Sequence, residues 1–310
     1  MGMGVKHMGV MRMGFAQVRV TDMDAAKKHY VDTLGLRVTA EQDGRVYLKG
    51  WDEWDHHSVV LEPGGVGAVK FGFKVETADD IAAIEKAAQT FGASCARLSR
   101  GEDLAVGDGI RLTSPSGHVF EIYNEMTLVG GEMGYHNPNS HPRVESGICA
   151  PNLDHALITA SDVALNEKFF MDVLGFYPTE QIVPELDSAH RIATWLSAGQ
   201  KVHDIAILEG PDGGLHHFAF ELEDWAAILR AADTLAMDEV SVELTPTRHG
   251  ITRGKTIYFF DPSGNRNETF AGGYRAYPDR PCIKWTADAM ARGIFYHSGE
   301  MVPTFSTVLT

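Results

Sequence analysis

The feature that most constrains the fold of this 310-residue chain is an internal repeat. An alternating apolar and polar segment runs into an amphipathic segment at residues 15–36, and the same order returns at residues 153–176. Both amphipathic segments stop at a glycine, Gly35 or Gly175, the residue that most easily adopts the left-handed conformation that ends a helix. Each copy therefore predicts a strand followed by a helix.

Two further pairings extend the repeat along the chain. A strand-like run precedes the predicted helices 78–91 and 224–236, and turn-centred segments at 112–121 and 260–268 also match. Each half thus holds two units of strand, helix and several strands, which indicates an old duplication. We predict an N-terminal structural domain at 1–145, a C-terminal catalytic domain at 146–272 and an extension at 273–310, with a Gly-, Pro- and His-rich join.

Composition excludes several classes of partner. The formal charge of −15 disfavours binding to nucleic acid or to an anionic membrane, because both surfaces are negatively charged. The three cysteines form no CxxC pair, which fits a reducing compartment. The segment Met1–Gly14 lacks the apolar run of a signal peptide, and the chain has no apolar run long enough to span a bilayer. We therefore expect a cytoplasmic protein.

A hairpin is predicted near the end of the second copy. Asp261-Pro-Ser-Gly264 has proline at the second turn position and glycine at the fourth, the pattern of a type I turn. Segments rich in β-prone residues flank it on both sides. The hairpin would carry Tyr258 and Glu268 into the same neighbourhood.

The two copies differ in residues that can bind a metal. The aligned sets are His155, His217 and Glu268 in the second copy, and Gln17, Lys70 and Glu121 in the first. Two neutral imidazoles and one carboxylate, with coordination positions left open, are typical of non-haem Fe(II) oxygenases. A single strand histidine is more often a core or surface residue, so the prediction depends on the set. The first copy is predicted to be iron-free.

Other histidines are weaker candidates. His216 neighbours His217 and would point to the opposite face of a regular strand. The pair His56-His57 lies among acidic residues, but in the copy that lacks the strand histidines, and is predicted to be a solvated loop. The histidines predicted to lie in turns or in the linker are His118, His136 and His141.

The stretch 247–268 resembles the signature of the type I extradiol ring-cleavage dioxygenases of the vicinal oxygen chelate superfamily. That signature joins a histidine, an Ile-Tyr pair, an Asp-Pro-x-Gly turn and a glutamate, and all four elements are present here. The resemblance covers nearly the whole chain. It implies an α+β fold of four βαβββ modules in two tandem domains, each curling into an open barrel, and Fe(II) bound by His155, His217 and Glu268.

The resemblance also implies an activity. Catechol or alkylcatechols would react with O2, which opens the ring beside the two hydroxyls and gives 2-hydroxymuconic semialdehyde-type products in aromatic hydrocarbon degradation. His203 would act as acid and base and stabilise the bound oxygen species, whereas His249 and Tyr258 would hydrogen-bond the substrate oxygens. The loop between His203 and His217 is slightly shorter than is usual in this family. A homotetramer is the expected assembly.

Two alternatives are compatible with the repeat. One is a lyase or epimerase of the glyoxalase type, which uses nickel, zinc or cobalt and commonly an additional carboxylate or glutamine ligand. The other is a binding module that sequesters a drug, although such modules are typically short, single-domain chains without a metal triad. Metal analysis and an assay with catechol distinguish them, and His203, His249 and Tyr258 favour the dioxygenase.

Overall fold

The structure is a computed structural model that describes residues 9–310. The expectation that Met1–Gly14 is not a signal peptide therefore lies largely outside the described residues. Within residues 9–310, no helix has the length and apolar character needed to cross a membrane.

The described part of the first half contains eight strands and two helical segments. They are β1 (Val10–Val20), α1 (Met23–Lys28, continued by a π-helical turn at His29–Thr33), β2 (Arg37–Gln42), β3 (Arg45–Lys49), β4 (Val59–Pro63), β5 (Ala68–Val75), α2 (Ala78–Phe91), β6 (Ser94–Leu98), β7 (Gly109–Thr113) and β8 (Val119–Tyr123).

The second half repeats this order and adds further elements. They are β9 (Asn152–Ala160), α3 (Val163–Leu174), β10 (Tyr177–Val183), β11 (Ala193–Ser197), β12 (Ile205–Glu209), β13 (Leu215–Leu222), α4 (Trp225–Met237), β14 (Val242–Arg248), β15 (Gly254–Phe260), β16 (Arg266–Gly272), β17 (Ile283–Thr286), a 3₁₀ turn (Ala287–Ala289), α5 (Met290–Ile294) and α6 (Pro303–Thr307).

Strand order confirms the duplication. The first sheet runs β2-β3-β4-β1-β5-β8-β7-β6, and the second runs β14-β15-β16-β13-β9-β12-β11-β10-β17. Strands β1–β8 correspond to β9–β16 in chain order. When the second sheet is read from β10 to β14, leaving out β17, its strands follow the same order as their counterparts in the first sheet. The predicted α+β fold of repeated modules is therefore confirmed. The extension contributes β17, which pairs in parallel with β10 at the sheet edge.

Local signals place the helices where the sequence predicts them. Asp22 and Asp162 cap the first helix of each half, each accepting a hydrogen bond from the backbone N–H three residues later. Gly175 ends α3 with a left-handed φ of 73°. The first helix is shorter than predicted, because its last turn at His29–Thr33 is π-helical.

The two halves share one core. Aromatic side chains of the first sheet pack against α3 of the second half, for example Phe120 against Phe170 with ring centroids 5.2 Å apart. Polar contacts also cross the boundary: the Tyr30 hydroxyl donates to Asp261 at 2.9 Å. His118 lies 3.0 Å from the carbonyl oxygen of Gly214 and is buried. The prediction that His118 is a turn residue is therefore incomplete, because its turn packs against the second half.

Strand register corrects one predicted equivalence. The first strand pairs Phe15 with Gly72, and its counterpart pairs His155 with Ala219. Gly72 and Ala219 are themselves equivalent, since each lies beside the glutamate of its own copy. Phe15, and not Gln17, is therefore the counterpart of His155. The conclusion that the first copy lacks this histidine is unchanged.

Candidate metal centre and active site

Three strands bring the predicted metal ligands together. His155 on β9, His217 on β13 and Glu268 on β16 are all buried, and their donor atoms lie within 4.8 Å of one another. Glu268 Oε2 is 3.1 Å from His155 Nε2 and 3.0 Å from His217 Nε2. Strand β13 pairs with β9 on one side and with β16 on the other, which makes the three side chains neighbours across the sheet. No other such group of three occurs among the described residues.

The neighbours of each imidazole determine which nitrogen carries hydrogen. His155 Nδ1 lies 2.5 Å from the Asp154 carboxylate, so it donates and leaves the lone pair on Nε2. His216 Nε2 lies 2.7 Å from the carbonyl oxygen of Phe305 and must donate to it. The neutral His216 therefore accepts at Nδ1 from His217 Nδ1, 2.6 Å away. When His155 is neutral, as a metal ligand must be, the Nε2 lone pairs of His155 and His217 thus both face Glu268.

The electrostatics indicate a site that attracts a cation. Burial alone would lower the pKa of His155, but its contacts with Asp154 and Glu268 prevail and raise it to about 9. Burial lowers the pKa of His217 to about 4, despite its contact with Glu268. Burial opposes ionisation of Glu268, yet the three histidines around it hold its pKa well below the usual range. Without a metal, His155 is protonated and supplies the positive charge that the ion would otherwise supply.

The three remaining predicted site residues surround the triad. The His203 ring packs against His155 in a tilted arrangement with ring centroids 4.0 Å apart, and its Nδ1 is buried without a hydrogen-bond partner. His249 Nε2 lies 3.0 Å from the Tyr258 hydroxyl and 3.7 Å from Glu268 Oε1. The hairpin places Tyr258 directly opposite Glu268, as the sequence predicts. All six residues line one cavity.

The rest of the cavity wall is mainly apolar, and most of it was not predicted from the sequence. Apart from the six residues above, the lining consists of Leu157, Trp195, Ile251, Thr252, Phe270, Ile294 and Phe305. Ile294 and Phe305 belong to the C-terminal extension. Phe305 packs edge-on against Tyr258 and also against His216, at centroid distances of 4.9 and 4.5 Å. The only sequence signal for these positions was that the extension has no counterpart in the first half.

Arg266 joins this extension to the second sheet. Its guanidinium is buried, forms a bidentate pair with Glu243, and donates to the carbonyl oxygens of His216, Thr304 and Val308. A buried arginine with all these partners holds its neighbours in a fixed geometry. Residues of α6 are therefore fixed above the triad.

The equivalent position in the first half holds an ion cluster. Lys70, the counterpart of His217, lies 2.9 Å from Glu121 and 2.6 Å from Asp103. His57 corresponds to His203, because each lies two residues before the strand, β4 or β12, that pairs in parallel with the first strand of its half. His57 is buried, and burial lowers its pKa to about 3. The prediction of a solvated loop at His56-His57 is therefore wrong for His57, whose ring packs against Phe15 instead.

Two buried histidines and a carboxylate that converge in an apolar cavity, on a duplicated sheet, are the arrangement expected of a metal-dependent oxygenase. Residues 152–269 match the Glyoxalase/Bleomycin resistance protein/Dioxygenase superfamily, and residues 70–127 match the Catechol 2,3-dioxygenase-like N-terminal domain. The chain is 41% identical to the metapyrocatechase of Pseudomonas sp. (strain CF600), an alignment that covers 97% of this chain and 99% of that relative. It therefore belongs to the extradiol dioxygenases of the vicinal oxygen chelate superfamily.

Solved structures and a more distant relative agree with this family. The 2,3-dioxygenase LapB from Pseudomonas sp. KL28 superposes with a TM-score of 0.88 at 43% identity, covering 91% of this chain and 99% of that one. A complex of homoprotocatechuate 2,3-dioxygenase from Brevibacterium fuscum with 3,4-dihydroxyphenylacetate gives a TM-score of 0.87 at 29% identity, covering 96% and 92%. A manganese-dependent 2,3-dihydroxybiphenyl 1,2-dioxygenase from Geobacillus genomosp. 3 is 28% identical, covering 95% and 96%.

Proposed function

We propose that this protein uses O2 to open the ring of catechol or an alkylcatechol beside the two hydroxyls, at a ferrous ion held by His155, His217 and Glu268. The observation that carries the proposal is the meeting of these three buried donors at the base of an apolar cavity. The product keeps every atom of the catechol and both atoms of O2, as a 2-hydroxymuconic semialdehyde.

The chemistry of the donor set fits a divalent metal. Two imidazole lone pairs and one carboxylate oxygen converge, and a cation would satisfy all three at once. Asp154 orients His155 from the far side of its ring, which is how metal-bound histidines are commonly fixed. When bound, the ion supplies a common centre for the diol and O2 and lets electrons pass between them. We propose iron, and the manganese-dependent relative makes manganese the alternative that metal analysis has to exclude.

The polar residues of the cavity can position the substrate. His249 Nδ1 contacts the carbonyl oxygen of Ile294 and therefore donates, which leaves Nε2 to accept from Tyr258. Burial, followed by the charge of Glu268, holds the pKa of Tyr258 well above its usual range, so the phenol stays protonated. Its oxygen lone pairs remain available to accept a hydrogen bond from a substrate hydroxyl.

His203 is the proposed acid and base. Burial, reinforced by the charge of His155, holds the pKa of His203 well below its usual range, so the ring is neutral at pH 7. A neutral imidazole with a free nitrogen can accept a proton from the diol and return it later. The apolar wall would exclude bulk water from the cavity while this occurs.

The wall also favours uncharged, compact substrates. Among residues 9–310, the cavity lining contains no lysine or arginine that could pair with an acidic ring substituent. Trp195, Ile251 and Phe305 instead offer apolar contacts to a bare or alkylated ring. This supports catechol and alkylcatechols over substrates that carry a carboxylate.

Paired substitutions in the two copies test the proposal. After anaerobic purification and iron quantitation, the protein is mixed with aerated catechol and the yellow product is followed. E268Q should lose iron and activity, whereas E121Q in the first copy should keep both. H203Q should slow turnover at unchanged iron content, with H57Q as its matched control. Retained iron and activity in E268Q would contradict the ligand assignment, and loss of iron in H203Q would contradict the role of His203.

We also propose that the first half is a metal-free structural copy and that the protein is a homotetramer. Lys70 and Arg111 both pair with the acidic groups Asp103 and Glu121 of the first copy, which supports a single metal site per chain. The tetramer is expected from the family resemblance. Metal analysis should give one ion per chain, and light scattering should give a mass of about four times 33.9 kDa.

A further inference from the structure

A buried glutamate outside the triad joins three separate segments of the catalytic half. Glu180 lies on β10 and is 1% exposed. Its Oε1 accepts from the backbone N–H of Thr252 at 2.6 Å and from the Tyr274 hydroxyl at 3.0 Å. Its Oε2 accepts from the indole N–H of Trp285 at 2.6 Å. Both carboxylate oxygens are therefore occupied.

One of these partners belongs to the wall of the substrate cavity. Residues 249–253 connect β14 to β15, and this loop contributes His249, Ile251 and Thr252 to the lining. Thr252 and Arg253 both have a φ of 61°, a conformation that β-branched and long side chains rarely adopt. Such a conformation persists only where surrounding contacts hold it.

The contacts that hold this loop come mainly from outside it. The backbone N–H groups of Gly250 and Ile251 both donate to the carbonyl oxygen of Gly293, at 2.8 and 2.9 Å. Glu180 accepts the next N–H, that of Thr252. Trp285 and Tyr274 in turn hold the carboxylate, so its position is fixed from several sides.

We propose that Glu180 is a positioning residue of the ring-cleavage site: through Thr252 it holds the loop 249–253, and with it the wall that contacts the substrate ring. It touches neither the triad nor the cavity itself. The inference rests on the proposed function, because it assigns this wall to catechol binding. Its expected signature is a weakened affinity for substrate without loss of metal.

Glu167 offers a matched control. It is also a buried glutamate beside β10, and it accepts from Gln181 and Thr194 at 2.6 Å each. Neither partner lines the cavity. Removing either carboxylate should lower stability, but only the removal of Glu180 should alter the binding of catechol.

The experiment compares E180A, E180D, E180Q and E167A in the iron-loaded, full-length protein. For E180A we expect the KM for catechol to rise about tenfold, with kcat changed by less than about threefold and the iron content unchanged. E180D keeps the carboxylate but moves it away from the N–H of Thr252, so its KM should rise by a smaller factor than that of E180A. E180Q keeps an acceptor for that N–H and should restore KM towards the original value. E167A should lower the melting temperature and leave KM unchanged.

Hydrogen exchange supplies a readout that needs neither metal nor substrate. The amide of Thr252 should exchange faster in E180A and E180D than in the original protein, and should be unaffected in E167A. If E180A does not fold, E180D carries the test. An unchanged KM in whichever of E180A and E180D fold, beside an active original protein, would overturn the inference alone. An iron-loaded original protein that leaves catechol intact would overturn the proposed function instead.

Discussion

Replacing Lys70 by Met tests the idea that an ammonium substitutes for the metal in the first copy. The Lys70 side chain is 8% exposed and that of Glu121 is 1% exposed, so the substitution leaves a buried carboxylate short of one counter-charge. Arg111 still contacts Glu121 at 2.6 Å, which limits the loss. Breaking a buried pair by removing one partner costs about 3–5 kcal/mol, and the remaining arginine places this case near the lower end.

The free energy of protonating Glu121 sets an upper limit on the destabilisation caused by K70M. A carboxyl of ordinary pKa, about 4.3, can be neutralised at pH 7 for about 3.7 kcal/mol, since each pH unit corresponds to about 1.4 kcal/mol. Burial, and the nearby Asp103, already raise the pKa of Glu121, so the actual limit is lower. We therefore expect K70M to reduce the free energy of unfolding by about 2–3.5 kcal/mol at pH 7.

Urea denaturation measures this loss, and pH identifies its origin. Because neutralising Glu121 becomes easier as pH falls, the loss in K70M should shrink between pH 7.5 and 5.5. The double variant K70M/E121Q should recover much of the stability. K28M removes a lysine 3.6 Å from Asp32 at the exposed surface and should cost less than about 0.5 kcal/mol. A loss in K70M that equals that of K28M, or that does not depend on pH, would refute the charge-substitution argument.

Three other predictions follow from the catalytic half and the boundary. D154N should weaken metal binding about tenfold, measured by competition with a chelator, because Asp154 orients a ligand. Y258F should lower kcat/KM about tenfold at unchanged metal content, measured by product formation. Burial lowers the pKa of His118, so the folded state favours the neutral imidazole. The protein therefore has its full stability above pH 6.5 and loses part of it as pH falls, because the unfolded chain takes up the proton more readily. Between pH 7.5 and 5.5, the free energy of unfolding should therefore fall less in H118Q than in the original protein. Urea denaturation should show a difference between the two proteins of at most about 1.4 kcal/mol per pH unit.

Features encoded in neighbouring residues could be predicted from the sequence. The helix Ala78–Phe91 has the bounds that its pattern predicts, and the hairpin around Asp261 brings Tyr258 opposite Glu268. In both cases the deciding interactions span only a few residues. Repetition of such local signals was also sufficient to predict the duplication, because each half presents them in the same order.

Strand register could not be predicted in the same way. A shift of two residues keeps every side chain of a strand on its original face, so the hydrophobic pattern fits equally well with Gln17 or Phe15 as the counterpart of His155. The offset between the helix caps Asp22 and Asp162 is 162 − 22 = 140 residues, the same as between Phe15 and His155. Taking the caps as the reference would have given the correct pair.

The remaining parts of the site depend on distant segments. Phe305 and Ile294 reach the cavity from the extension, and nothing near them in sequence indicates the triad. The burial of His118 depends on Gly214, a residue of the other half. Such contacts follow from how the halves pack together, and a single sequence contains no local pattern that reports them.

The extension also explains why only the second copy is suited to bind a metal. His217 presents Nε2 to Glu268 because His216 accepts its other N–H, and His216 does so because it donates to the carbonyl oxygen of Phe305. The orientation of a proposed ligand thus depends on a residue almost ninety positions further along the chain. In the first copy the position of His217 is occupied by Lys70, which needs no defined tautomer and pairs directly with Glu121. A lysine can neutralise a buried carboxylate without help, whereas a histidine ligand needs a second residue to fix its proton. The C-terminal extension supplies that second layer, so we infer that the asymmetry between the copies depends on the extension as well as on the ligands themselves.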